Sequence, residues 1–279
     1  MKHSKNFFIL IPLLLLVLAL VSSCKKENID LIENLNSSRK AVSLLVREPN
    51  VIWLNFLNTF TEDYDVYVII DDYNFSTIQL ESQYPNINFI KIKDDTCKKS
   101  GFFNVNYVFP KTPTAWDKGL YYFCVVNKNY DYVWFIEDDV YIPNKKILKS
   151  IDKKHPDTHL LCGDIGVYRN YDGWSHWNQA KNYFKQPWAN GLQCVCRISK
   201  KLLNKINDFA NENKTLTFLE VLFPTLAHQN NLSSTAPDEF KNVLWSQNFN
   251  KLEDLDSKNI FHPIKNIEDQ HKLRLISNT

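Results

Sequence analysis

The chain has 279 residues, 44% of them hydrophobic and 14% aromatic, enough to bury a sizeable core, which excludes a largely disordered protein. Its 33 basic and 31 acidic residues leave a net charge of +2 without a long basic block, so the electrostatic footprint of a nucleic-acid binder is missing.

At the N-terminus a basic stub, Lys2, His3 and Lys5, precedes an apolar run from Phe7 to Val21 and then Ser22-Ser23-Cys24-Lys25-Lys26. About 15 apolar residues is short of the roughly 20 that a spanning helix needs and lies at the upper edge of a cleavable signal core. Residues 1–24 therefore read in one of two ways. One is the signal-anchor of a type II membrane protein, with the remainder in a Golgi- or ER-type lumen. The other is a bacterial envelope lipoprotein signal, in which Val21-Ser22-Ser23-Cys24 resembles a lipobox. Either tethers the chain to a membrane and outside the cytosol. Residues 25–40 read as a polar stalk and residues 41–279 as one folded domain.

The domain opens with Ala41 to Val46, a continuous apolar run of the kind buried on both faces of a parallel sheet. Trp53, Leu54, Leu57 and Phe60 then recur at helical spacing, and a second strand, Asp65 to Ile70, ends in Asp71-Asp72. A helix over Ser76 to Gln83 and a strand over Ile87 to Ile92 follow. Asp94 to Lys111 reads as an irregular surface loop. Thr114 and Asp117 stand in capping-box positions at the head of a helix reaching Val125, with Trp116, Leu120 and Cys124 at core spacing. Alternating strands and helices predict an α/β fold with a Rossmann-like, doubly wound and mostly parallel sheet.

The next strand, Tyr130 to Val140, carries the most informative residues of the chain, because its apolar run ends in Glu137-Asp138-Asp139. In alternating α/β proteins the ligand crevice lies at the carboxyl ends of the strands. Period-2 geometry sends Glu137 and Asp139 to one face, where their hard oxygens suit Mg²⁺ or Mn²⁺. Beyond it the pattern is less regular. Strands are expected at Leu160 to Cys162 and Gln193 to Ile198, and helices over Lys200 to Ala210 and Leu216 to Leu226. Trp174, Trp177 and Trp188 either pack a core or offer a face to a ligand. Cys194-x-Cys196 on a strand places both thiols on one face without zinc spacing, and disulfide or reduced states both suit Cys97, Cys124, Cys162, Cys194 and Cys196.

Taken in order, Arg47-Glu48-Pro49-Asn50 after the first strand, Asp71-Asp72, Glu137-Asp138-Asp139 in the place of a DxD motif, and the late His262-Pro263-Ile264-Lys265 resemble a nucleotide-sugar-dependent glycosyltransferase of the GT-A type. The resemblance spans most of Ala41 to Lys265, and it departs from the motif by opening the triplet with Glu.

The resemblance implies a donor-binding half over 41–144 and an acceptor half over 145–279. It implies a nucleotide-diphosphate sugar donor, a hydroxyl acceptor on a glycan, protein or lipid, and Mn²⁺ or Mg²⁺ held by Glu137, Asp139 and His262. Arg47, Asp71, Asp72, Lys118, Glu137 and Asp138 become candidates for contacts with the donor. Glu220, the acid in the most apolar surroundings of the second half, and Asp164 become candidates for the base that activates the acceptor. The rival reading is an exported, membrane-tethered lipoprotein that binds a ligand or divalent metal without catalysis.

Overall fold

A computed structural model describes residues 38–106, 110–168, 173–246 and 255–277. The apolar run from Phe7 to Val21 lies outside them, and no helix among the described residues is long and apolar enough to cross a membrane.

Strands and helices alternate as β1 (Lys40–Val46), α1 (Val51–Asn58), β2 (Asp65–Ile70), α2 (Ile78–Gln83), β3 (Ile87–Lys91), α3 (Asp94–Lys99), α4 (Ala115–Tyr121) and β4 (Tyr132–Glu137). There follow α5 (Lys145–Lys154), β5 (Leu160–Tyr168), α6 (Trp177–Lys181), β6 (Trp188–Ser199), α7 (Lys200–Asn213), α8 (Leu219–Gln229), β7 (Ser234–Thr235), β8 (Asn242–Val243), β9 (Phe261–His262) and α9 (Ile267–Ser277). The capping box of α4 forms as its sequence predicts, and the helix continues into one wider π turn over Tyr122–Val126.

Seven strands make one sheet in the order β3-β2-β1-β4-β6-β5-β7, while β8 and β9 pair separately. β3, β2, β1 and β4 are parallel, and β6 runs antiparallel to both neighbours, β4 and β5. The sheet is therefore mixed. β5 returns parallel to β4 but leaves one strand position open between them. The link from β5 stays at the carboxyl end, so β6 fills the gap in the reverse sense.

Both faces of the sheet are buried. Ala41, Leu45, Val133 and Phe135 join one core with α4, α7 and α8, whereas Val42, Leu44, Trp134 and Ile136 join the other with α1 and α5. This is the alternation expected when helices cover both faces. Gly119 lets α4 lie close to the sheet, because a Cβ there would stand 3.1 Å from Leu45 and 3.3 Å from Phe135.

Several expectations change. Asp94 to Lys111 is not wholly irregular: Asp94 and Asp95 in the first turn and Lys98 and Lys99 in the last complement the dipole of α3, which buries Cys97. Cys194 and Cys196 do not share a face. The β5–β6 register shifts between Leu161 and Gly163, and this bulge turns Cys194 into one core and Cys196 into the other. The five cysteines among the described residues are free and buried. Trp177 and Trp188 stack on each other inside the core, with centroids 5.8 Å apart, so neither is offered to a ligand.

Asp152 of α5 ties the sheet to its helical cover. It accepts from Arg197 Nη1 at 2.6 Å, Tyr64 Oη at 2.9 Å and Trp134 Nε1 at 3.3 Å, and Lys40 Nζ stands 3.4 Å away. Arg197 is fully buried, so its charge depends on this carboxylate. Asp152→Ala is expected to cost about 3–5 kcal/mol, the scale for an orphaned buried charge, read as a lowered midpoint in urea unfolding. An unchanged midpoint would show that the network is not a structural anchor.

Candidate active site at the carboxyl end of the sheet

β4 stops at Glu137, where the Val140 N–H donates to the Glu137 carbonyl at 3.2 Å and closes a turn through Asp138 and Asp139. Glu137 and Asp139 do converge, but through this turn rather than through strand alternation. Trp116 of α4, stacked on Phe135 at 5.5 Å, donates its indole N–H to Glu137 Oε1 at 2.6 Å. Desolvation pushes the Glu137 carboxyl up from its ordinary value; the Trp116 bond opposes this shift and the Asp139 charge adds to it.

The same turn is gripped from behind. The Asp138 carbonyl accepts from Trp53 Nε1 of α1 and Gln270 Nε2 of α9, each at 2.9 Å, and the Asp139 carbonyl accepts from the Ile264 N–H at 2.7 Å. β9 is brought alongside by a reciprocal pair of bonds between Tyr141 and Phe261, at 2.8 and 3.1 Å. His262 thus arrives beside Asp139.

The tautomer of His262 follows from one contact. Its Nδ1 lies 2.7 Å from the Leu244 carbonyl oxygen, which only accepts, so Nδ1 carries the hydrogen and Nε2 turns towards the carboxylates. Nε2 stands 3.4 Å from Asp139 Oδ1, and one ligand atom from each of Glu137, Asp139 and His262 lies within 4.8 Å of the others. A bare imidazole lone pair facing two carboxylates is repelled. A proton or a cation on Nε2 relieves this, and burial disfavours the proton while Asp139 favours it, leaving the His262 pKa raised. Two carboxylate oxygens and one imidazole nitrogen with its second nitrogen already anchored form a donor set that fits Mn²⁺.

The triplet lines a cleft of about 1020 Å³ together with Arg47, Asp71, Asp72 and Lys118. Arg47 is exposed, and its guanidinium has no partner among the described residues. Lys118 is buried, and its ammonium donates to the Asp71 carbonyl at 2.6 Å, to Asp71 Oδ1 at 2.6 Å and towards Asp94 Oδ1 at 2.9 Å. Those three contacts use its three hydrogens, so Lys118 fixes the cleft wall. Burial works against the Lys118 ammonium, but Asp71 and Asp94 outweigh it and its pKa is raised. Asp72 caps a local turn by accepting from the Asn74 N–H at 2.8 Å.

Glu220, in the first turn of α8, and Asp164, in β5, line a second cleft of about 630 Å³. Burial foremost, then the charge of Glu137, push the Glu220 carboxyl up to about 8. His262 pulls it the other way, so Glu220 senses both sides of the candidate metal centre. Asp164 is a non-glycine residue at φ 42°, a left-handed conformation that is uncommon outside functional or turn positions.

Trp116, Trp53, Gln270 and the Leu244 carbonyl, all of which orient the site, were not among the expected site residues. Trp53 and Trp116 were visible only as apolar positions at helical spacing. The others act through backbone atoms or from positions remote in sequence.

No family model matches the sequence, and no curated protein matches it. Solved structures do. Mouse xyloside xylosyltransferase 1 is 10% identical, with 72% of this chain and 86% of that one covered and a TM-score of 0.36. The bifunctional glycosyltransferase WbbM is 10% identical over 86% of this chain and 50% of that one, with a TM-score of 0.45. The 4-diphosphocytidyl-2C-methyl-D-erythritol synthase of Anaerococcus prevotii is 7% identical over 87% and 97%, with a TM-score of 0.46. Identities and scores this low assign no residue a role, and the reading of the site rests on its own side chains.

Proton and cation compete for His262 Nε2. Manganese binding is therefore expected to release a proton and to tighten several-fold between about pH 6 and about pH 8. The folded pKa of His262 is raised, so its contribution to stability without metal is full below the ordinary value of 6.5 and is lost as pH rises through the raised one. Manganese should restore the melting temperature on that alkaline side, and a pH-independent manganese affinity in paramagnetic-resonance titrations would contradict the arrangement.

Proposed function

We propose that the protein is a metal-dependent glycosyltransferase that moves a sugar from a nucleotide-diphosphate donor to a hydroxyl acceptor. The observation that carries this reading is the anchored tautomer of His262, which turns Nε2 towards Glu137 and Asp139, two residues that line the larger cleft. Glu137, Asp139 and His262 would hold a Mn²⁺ or Mg²⁺ ion. When bound, such an ion supplies positive charge against the diphosphate leaving group, whose negative charge grows as the glycosidic bond breaks.

The remaining roles belong to the chain's own residues. Arg47, whose guanidinium has no partner among the described residues, lines the same cleft and suits the planar oxygens of the diphosphate. Asp71, held by Lys118, and Asp72 and Asp138 offer acceptors to the donor's ribose and base. Glu220 is the base that takes the acceptor's hydroxyl proton in an inverting transfer, with Asp164 next to it in the same cleft. A membrane tether through residues 1–24, with the domain in a secretory lumen, remains part of this proposal because activated sugars are supplied there.

Asp139→Asn is expected to lower manganese-dependent turnover of the donor by about 100-fold or more while leaving the circular dichroism spectrum unchanged. Full residual turnover, measured as release of the nucleoside diphosphate across a panel of nucleotide sugars, would remove the site.

Glu220→Gln is expected to slow transfer by about 10²–10⁴-fold with nucleoside-diphosphate affinity intact. The wild-type rate should climb with pH along a limb ending no higher than about 8, because a bound cation lowers the Glu220 pKa further. Loss of that limb in the variant identifies the base; a limb that persists assigns it elsewhere.

A further inference from the structure

Asp139 and His262 sit on two separate stretches of chain, the turn after β4 and the strand β9, and the spacing of these stretches sets the distance between the two side chains. One residue touches both stretches. Gln270, fully buried at the end of the first turn of α9, donates from its amide Nε2 to the Asp138 carbonyl and to the Ile264 carbonyl, each at 2.9 Å. Asp138 directly precedes Asp139, and Ile264 lies two residues beyond His262. A primary amide has two hydrogens, so this side chain is fully committed as a donor.

The orientation of that amide is also fixed. Arg274, one helical turn later, donates from Nη2 to Gln270 Oε1 at 2.8 Å, which places the amide oxygen on its side and the NH₂ group towards the two carbonyls. Arg274 is itself held by a bond from Nε to the Ile142 carbonyl at 3.1 Å, with its guanidinium over the rings of Phe56 at 3.9 Å and Trp53 at 4.7 Å. Asn266 caps α9 by accepting from the Glu268 N–H at 3.0 Å, so the helix begins close behind Ile264. The Asp138 carbonyl takes its second bond from Trp53 Nε1, and the peptide between Asp138 and Asp139 cannot turn without breaking both. The Ile264 N–H, bonded to the Asp139 carbonyl at 2.7 Å, joins the same two stretches directly. A side chain needed only to pack α9 would be apolar, whereas a buried amide with every polar group paired fixes a distance as well as filling space.

We propose that Gln270 is a positioning residue of the candidate metal centre: its amide, aimed by Arg274, bridges the two ligand-bearing stretches and holds Asp139 and His262 at the spacing a cation needs. Cation affinity then depends on the docking of α9, although neither Gln270 nor Arg274 touches the ion. This deepens the metal-dependent reading and rests on it for the ion, while the bridge between the two stretches is independent of any ion.

Variants of the full chain separate a bridge from simple packing. Gln270→Met keeps the length of the side chain and removes both donors. Gln270→Glu keeps an acceptor for Arg274, and with it the docking of α9, but turns an oxygen towards the two carbonyls. Arg274→Lys keeps a cation beside the rings and removes the fork that aims the amide. Manganese affinity is measured by paramagnetic resonance without nucleotide, and amide hydrogen exchange is followed at Ile264 in the metal-free protein, with Leu44 of β1 as the reference. Both Gln270 variants are expected to weaken manganese binding by about tenfold or more and to speed exchange at Ile264 but not at Leu44, with a smaller loss in Arg274→Lys. Wild-type manganese affinity in both Gln270 variants overturns the proposal and leaves the metal reading in place, and so does exchange that speeds equally at Leu44, the mark of global destabilisation. A wild-type protein that binds no manganese, with exchange at Ile264 still selectively faster in the variants, keeps the bridge and sinks the metal reading. Should both Gln270 variants fail to fold, Arg274→Lys decides by the same two measurements.

Discussion

Two carboxylates and one imidazole, each with an atom inside the same 4.8 Å, form an arrangement that bare electrostatics does not tolerate. The Leu244 carbonyl occupies Nδ1–H, so the imidazole cannot turn its donor towards Glu137 and Asp139, and the accumulated negative charge must be met by a proton or a cation. Much of the surrounding structure serves to keep this frustration in place. The indole of Trp53 and the amide of Gln270 hold the turn by the Asp138 carbonyl, and Trp116 orients Glu137 from the opposite layer. Because these bonds come from α1, α4 and α9, the site is rigid from three directions, as a preorganised charge centre requires.

The sheet divides labour around that centre. Its parallel part ends in Arg47, Asp71 and the acidic turn, so the larger cleft forms where loops follow strands β1, β2 and β4. The reversed strand β6 closes the gap beside β4 and brings Asn190 and Gly191 to the same edge of the sheet, where α8 adds Glu220. The two clefts meet at the candidate metal centre electrostatically: the pKa of Glu220 responds to Glu137 and His262, although it lines the other cleft. In the proposed reaction a base perturbed by the group that would hold the leaving-group cation is well placed for a displacement.

What could be read from the chain depended on whether the signal was local. Buried strands β1, β2 and β4 announced themselves as apolar runs, and the Thr114–Asp117 capping box predicted the start of α4. The acidic triplet and His262 were visible as candidate ligands. The direction of β6 was not, because orientation in a sheet depends on which strand position is vacant. The opposite facing of Cys194 and Cys196 was hidden for a similar reason, since a bulge leaves no mark in a residue pattern of period two. Lys118 was legible only as a candidate for contact with the donor, and its three contacts to Asp71 and Asp94 appear only in the tertiary structure.

By itself the sequence determined the alternating α/β order and the acidic end of an interior strand, whose residue types suit a divalent cation, because each follows from neighbours within a few positions. Tertiary structure decided that Asp139 and His262, more than a hundred residues apart, share one centre, that the His262 proton sits on Nδ1, and that Asn190 Oδ1 has no donor among the described residues. These are properties of packing: they exist only once the desolvated core fixes which distant groups face one another and which polar atoms remain unsatisfied.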